Sequence, residues 1–440
     1  MTGDTARAVG YLVVGSLAFS APLLDDRVGE TAAAVGTVAP LALVAVLALA
    51  SRRGPLFDLF ARARDKEEGR LYSLASFALA VTALAVLFIA FELPTVAFVA
   101  AVFVLTVGTL GRTLARPWTR TAVAGAAVFA VTGTLGAIAA IFVAGELGAT
   151  VPSVSLVVFV AASGAVLGAL IRSTLTPQDD PLVLLSTALL VWFLLGLELD
   201  PTPRRMAVGI AVTVLLGYVA YALGTASVTG MLTGVLLALF AVVLGGYGWF
   251  VLLVTFFGLG GLASKYRYDE KLDRGIAEKN EGARGGSNVL ANSAVALVAI
   301  VAYAASDQVG LDPIVFQFAF GGAVAAALAD TFSSEFGGLF DSPRLITTLE
   351  PVSPGTDGGV TWQGALVGAV GSGIIAALGG QFFGFDSVAV LTVLGAGFLG
   401  MVVDSVLGAT LEGERIGNQA VNLLATLTAG LAAAAVAGLL

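Results

Sequence analysis

The chain has 440 residues, 58% of them hydrophobic and only 12% charged, and its mean hydropathy is +0.96. Soluble globular domains carry about 25% charge, so this composition excludes one and marks a polytopic membrane protein. The chain holds no His and no Cys, which removes imidazole bases, His/Cys metal sites, thiol nucleophiles and disulfides, and its net charge of −8 argues against nucleic-acid binding.

A helix crossing the bilayer needs about 20 apolar residues. Such stretches recur near 8–24, 31–50, 71–91, 94–111, 121–145, 151–171, 181–198, 206–224, 230–245, 247–263, 288–304, 313–329, 362–380, 386–403 and 418–439. The expected fold is an all-α polytopic membrane protein of about fifteen transmembrane helices. The first span is followed by acidic Asp25 and Asp26, so a retained helix is expected rather than a signal peptide. With the N-terminus cytoplasmic, only Arg27, Arg204 and Arg205 of the 22 basic residues fall on the outer face. That asymmetry satisfies the positive-inside rule and places the protein as multi-pass in the cell membrane. The acidic balance with few lysines also matches a halophile.

Residues 1–204 form an N-terminal membrane domain with ordinary apolar spans, poor in polar residues within its helices, which reads as scaffold or lipid contact. Residues 205–440 differ: three polar segments there, at 264–287, 330–361 and 404–417, all open to the cytoplasmic side. In the first, Lys265, Arg267 and Lys271 read as an inside-positive loop solvated beside anionic lipid. Arg284 then precedes Asn288 and Asn292, four apart on one helical face entering the membrane.

The second segment opens with Asp330 at or near a span end, followed by Thr331, Ser333, Ser334 and Glu335. Hard oxygen ligands of this kind suit Mg²⁺, although an isolated Asp-x-x-Ser more often just caps a helix at the membrane surface. Arg344 adds a fixed cation, and Ser353, Pro354, Gly355, Thr356, Asp357, Gly358 and Gly359 form a small loop directly before the next apolar helix. Alone that loop is a tight turn. Together with the carboxylates and the arginine it becomes a phosphate site, where backbone N–H groups approach an oxyanion and Arg344 grips it bidentately.

The third segment repeats the layout, with Asp404 and Ser405 at the cytoplasmic end of an apolar run, so Asp330 and Asp404 could share one divalent ion. Asn418, Gln419 and Asn422 follow, entering the last helix; Asn422 either contacts substrate or pairs with a neighbouring helix.

The stretches GARGGSNVLAN (282–292), DTFSSEFGGLFDSPRLITTLEPVSPGTDGGVTWQG (330–364), DSVLGATLEGE (404–414) and NQAVNLL (418–424) resemble the integral-membrane family that includes plant phytyl-phosphate kinase and animal transmembrane protein 19. The resemblance covers residues 205–440 and implies a lipid-phosphate kinase. Such an enzyme converts an isoprenyl monophosphate, phytyl or geranylgeranyl, into the diphosphate at the cytoplasmic face, using a nucleoside triphosphate and Mg²⁺. Asp330 with SPGTDGG is more distantly similar to the signature of CTP-using polyprenol kinases and phosphatidate cytidylyltransferases. Thr356 and Asp357 replace that signature's Lys-Thr pair, leaving CTP or another triphosphate as donor. Gly69 to Tyr72 and Val107 to Arg112 are faintly similar to the same kinases without the second-place Asp, which implies a degenerate kinase-like N-terminal half.

On this reading Asp330, Asp404 and Glu335 hold the metal, and Arg344 and Arg284 neutralise the transferred phosphoryl group. Ser334 and residues 353–359 bind nucleotide, while Asn288, Asn292 and Asn422 meet the substrate. The partners are then isoprenoid lipid phosphate and membrane lipid. A CDP-lipid-forming cytidylyltransferase and a transporter with intramembrane carboxylates remain the competing readings.

Overall fold

In the computed structural model the chain is almost wholly helical, and the structure describes residues 3–24, 30–175, 180–223, 227–277, 285–413 and 415–439. Thirteen of the described helices are long and apolar enough to cross a membrane, and two shorter apolar helices, Val35–Ala50 and Asp180–Gly196, occupy the remaining two predicted positions. Helix dominates because a spanning segment must satisfy every backbone N–H and C=O within itself.

The chain divides into two compact units, Met1–Met206 and Ala207–Leu440. Unit 1 contains α1 (Gly3–Gly15), a 3-10 turn (Ser16–Phe19), α2 (Ser20–Leu24), α3 (Glu30–Ala50), α4 (Pro55–Phe60) and α5 (Ala63–Glu68). It continues through α6 (Tyr72–Phe91), α7 (Thr95–Ala115), α8 (Ala122–Glu146), α9 (Val154–Thr174) and α10 (Asp180–Gly196). After α11 (Pro203–Leu223), unit 2 has α12 (Val228–Phe240), a π-turn (Ala241–Gly245), α13 (Tyr247–Lys265), α14 (Tyr268–Asp273), α15 (Gly286–Ala304) and α16 (Ser306–Val309). Then come α17 (Pro313–Gly337), the short strands β1 (Arg344–Leu345) and β2 (Gly359–Val360), α18 (Trp362–Phe383), α19 (Ser387–Thr410) and α20 (Asn418–Ala437).

Each unit is built around one enclosed helix. In unit 1 it is α7, buried without interruption from Val96 to Thr106. In unit 2 it is α17, buried from Phe320 to Ala329 and packed by α13, α15, α18, α19 and α20. Apolar side chains gain little by leaving lipid for protein, so close backbone approach at small residues carries this packing. Gly400 shows it: a Cβ there would meet Ala326 of α17 and the carbonyl and side chain of α20 at Ala425 and Ala429.

Two predicted boundaries shift. Helices α17 and α19 run about two turns beyond the apolar stretches, so Asp330 and Asp404 lie within helices rather than at their ends. The polar residues there do not break the helix because their hydroxyls bond back to it: Ser334 to the Thr331 carbonyl at 3.2 Å, and Ser405 to that of Met401 at 3.2 Å. Unit 1, expected to be scaffold poor in polar residues within its helices, holds a buried charge cluster. Arg62 and Arg172 both pair with Asp180, whose side chain is only 4% exposed.

Candidate functional site

The two carboxylates of unit 2 meet although they lie on different helices. The register fixed at Gly400 against Ala326 and Ala425 brings Asp330, Asp404 and Asn422 to one level, about one turn further along α17 and α19 and one turn back along α20. The Asp330 and Asp404 carboxyls lie within hydrogen-bonding reach of each other. Asp404 Oδ1 is buried and has no hydrogen-bond partner. A buried carboxylate oxygen without a donor, beside a second carboxylate, is a donor set that a divalent cation fits. Among the described residues no group of three or more acidic side chains could hold a metal. The remaining ligands of such an ion would therefore be waters or phosphate oxygens, the coordination Mg²⁺ commonly takes.

The predicted amides border this level. Asn422 is buried on α20 and donates to Asn418 Oδ1 at 3.0 Å. Helix α15, which packs on both α17 and α20, carries Asn288 and Asn292 in its first two turns. The Asn292 amide donates to the Asn288 carbonyl at 3.0 Å.

The glycine loop lies beside the end of α19. Strands β1 and β2 pair antiparallel, Arg344 opposite Val360 and Leu345 opposite Gly359. Between them Ser353 to Gly359 makes two successive turns, the Thr356 N–H donating to Ser353 at 3.2 Å and the Gly359 N–H to Thr356 at 2.9 Å. Gly358 (φ +74°) is required twice over, by its left-handed backbone and because a Cβ would strike the backbone of Ala409. Ser353, Pro354, Gly355, Thr356 and Asp357 are exposed. Among the described residues the N–H groups of Gly355 and Asp357 have no acceptor, so they can turn to an anion.

Glu412, to which no sequence motif assigns a role, joins the pieces. It hydrogen-bonds Asn418 of α20 and lies near Asp357 of the loop. Burial, and then Asp357, raise its pKa above the ordinary glutamate value, while the Asn418 bond opposes the rise.

Other predicted residues are placed differently. Glu335, expected at the metal, is buried and bonded by Lys271 Nζ at 2.6 Å. Lys271, expected to be solvated, is 1% exposed and also donates to the Ala263 carbonyl at 2.7 Å. A lysine buried this deeply needs a counter-charge, which Glu335 supplies, so the carboxylate serves the lysine rather than a metal. Arg344 is exposed on β1, donates to the Leu349 carbonyl at 2.7 Å and makes no ion pair among the described residues. Ser334 is exposed and back-bonded within α17. Arg284 lies outside the described residues.

Helix α14 straps this end of the unit. Beyond Lys271, Arg274 pairs with Asp341 at 3.1 Å, and Ile276 packs against both Gly338 and Gly355.

Residues 211–430, which contain all of these groups, match the family described as integral membrane protein DUF92. The chain belongs to this family. It is 38% identical over 199 residues to an uncharacterized membrane protein of Methanocaldococcus jannaschii, covering 42% of this chain and 75% of that one. Protein PGR of Arabidopsis thaliana is 31% identical over 239 residues, 49% of this chain and 82% of its own. Protein VTE6, chloroplastic, of the same plant is 32% identical over 137 residues, 30% of this chain and 40% of its own length. No solved structure matches the chain. The matched stretch lies within unit 2 and leaves all of unit 1 outside.

Proposed function

We propose that unit 2 is a membrane lipid-phosphate kinase transferring the terminal phosphoryl group of a nucleoside triphosphate to an isoprenyl monophosphate. The observation that carries this reading is the facing Asp330 and Asp404 pair, with its unpartnered buried oxygen, next to a glycine loop whose N–H groups are open. Resemblance to the family that includes plant phytyl-phosphate kinase supports it, and CTP is the first donor to try.

Asp330 and Asp404 would hold Mg²⁺, which supplies charge neutralisation on the nucleotide phosphates. The N–H groups of Gly355 and Asp357 would cradle those phosphates, and Arg344, anchored in the hairpin, would offer its remaining N–H groups. Asn288, Asn292 and Asn422 would border the acceptor phosphate, the prenyl tail lying among apolar helices. The acceptor is already an ionised phosphate oxygen: it attacks the terminal phosphorus, the bond to the bridging oxygen breaks, and the nucleoside diphosphate leaves. No proton must be removed, so a chain without histidine suffices, and catalysis is positioning and electrostatics.

The test is product analysis by mass with purified protein, Mg²⁺, geranylgeranyl or phytyl monophosphate, and CTP, ATP, GTP or UTP in turn. A prenyl diphosphate is expected. Asp330→Asn and Asp404→Asn should each lower its formation about 10³-fold. A CDP-linked lipid would make the protein a transferase of another class, and full activity in either variant would remove the metal assignment.

A further inference from the structure

Five helices of unit 1 repeat the arrangement of five helices of unit 2, with arginines at the end where unit 2 has its paired carboxylates. Among α15 and α17 to α20 of unit 2, α17 touches the other four, and the further contacts are α18 with α19, α19 with α20, and α15 with α20. Among α6 to α10 of unit 1, α7 likewise touches the other four, and the further contacts are α8 with α9, α9 with α10, and α6 with α10. The registers also agree. Gly133 of α8 meets the Val104 backbone and Ala165, as Gly368 of α18 meets the Ala329 backbone and Met401. Gly164 of α9 meets Thr187 and Val191 of α10, as Gly400 meets Ala425 and Ala429.

By this register Gly168 occupies the place of Asp404, and the place of Asp330 falls within Leu105 to Gly108. Helices α7 and α9 contain no Asp or Glu at all. Their last turns carry Arg112 and Arg172 instead. Arg172 and Arg62, 10% and 14% exposed, both hold Asp180. Arg112 lies close enough to act electrostatically on Arg172 and has no ion-pair partner among the described residues. Asp65, whose two oxygens accept the backbone N–H groups of Arg62 and Ser73, each at 2.9 Å, also acts electrostatically on Arg62, so Arg62, Arg112 and Arg172 exceed the acids Asp65 and Asp180 by one charge.

Around the arginines several buried polar atoms lack partners. Tyr11, whose ring lies 4.9 Å from the Arg62 guanidinium, has an unpaired buried hydroxyl. Arg7 Nε and Ser73 Oγ are likewise buried and unpaired. Buried polar groups are normally satisfied, so this cluster is built for something further.

The geometry points to unit 1 as a second, non-metal copy of the unit 2 architecture, in which guanidinium groups replace the paired carboxylates and receive the phosphate of a membrane lipid headgroup. Two carboxylates facing one another attract a cation; Arg112, Arg172 and Arg62 attract an oxyanion and can bond it bidentately. A lipid is the source because Arg112 and Arg172 end membrane-spanning helices, at headgroup depth, and exposed Trp118 follows α7 as an interfacial residue would.

Native mass spectrometry of the full chain in detergent tests this, with dioleoyl phosphatidate as probe against dioleoylglycerol and inorganic phosphate. Phosphatidate should bind in preference to both. Arg112→Gln, at an exposed position without an ion pair, should weaken that binding about tenfold with the melting temperature unchanged. Arg172→Lys keeps the charge on Asp180 but removes the planar fork, and should weaken binding by a similar factor. Unchanged phosphatidate affinity in both variants, or inorganic phosphate binding as tightly as phosphatidate, would overturn the proposal. No turnover is measured, so the result stands whatever reaction unit 2 catalyses.

Discussion

At the scale of single residues, the sharpest contrast is between Asp404 and Glu335. Both are acids in the polar half of unit 2, yet one has an oxygen without any donor and the other is matched to Lys271. Lys271→Met should leave Glu335 buried and unpaired and cost about 3–5 kcal/mol. Unfolding in detergent would show this as a lowered transition, and the double replacement Lys271→Met with Glu335→Met should recover most of it; no loss in the single variant would mean the pair is open to water. Glu412 gives a pH signature. Its folded pKa is raised, so the native state binds more protons than the unfolded one just above the ordinary carboxylate range, and stability falls as pH rises through that window. Glu412→Gln should flatten this part of the melting-temperature profile; an unchanged slope would assign it to other groups.

At the scale of elements, the sequence made the acids legible and hid what surrounds them. An apolar run ending in Asp and a hydroxyl occurs at Asp330 and again at Asp404, and that repetition can be seen without coordinates. The role of α14 cannot: Lys271 and Glu335 are 64 residues apart, and nothing in their spacing marks a pair. The strap matters through Ile276, which bears on Gly338 at the end of α17 and on Gly355 in the loop. Ile276→Ala should loosen the loop and raise the nucleotide KM about tenfold with kcat nearly unchanged, since the lost contact acts on binding rather than on the transferred group. A fall in kcat at constant KM would place the strap's effect elsewhere.

At the scale of the whole molecule, the charge asymmetry that orients the chain is testable because the protein has no cysteine. Thr356→Cys in the loop and Asp307→Cys after α15, both at exposed positions, fall at opposite ends of unit 2. In sealed vesicles of known sidedness, an impermeant thiol reagent should reach position 356 only from the cytoplasmic side and 307 only from the other. The reverse pattern would invert the topology and move the site to the outer face.

The places of the apolar helices were determined by the sequence alone, because each backbone polar group in lipid must be satisfied within its own segment, making hydropathy a local code. Only the tertiary structure decided which polar groups meet: Asp330 with Asp404, Lys271 with Glu335, Glu412 with Asn418, and Arg62 with Asp180 across 118 residues. Those pairings depend on helix rotation and register, set where small residues such as Gly400 let backbones touch, and a one-residue turn of any helix by about 100° would separate them.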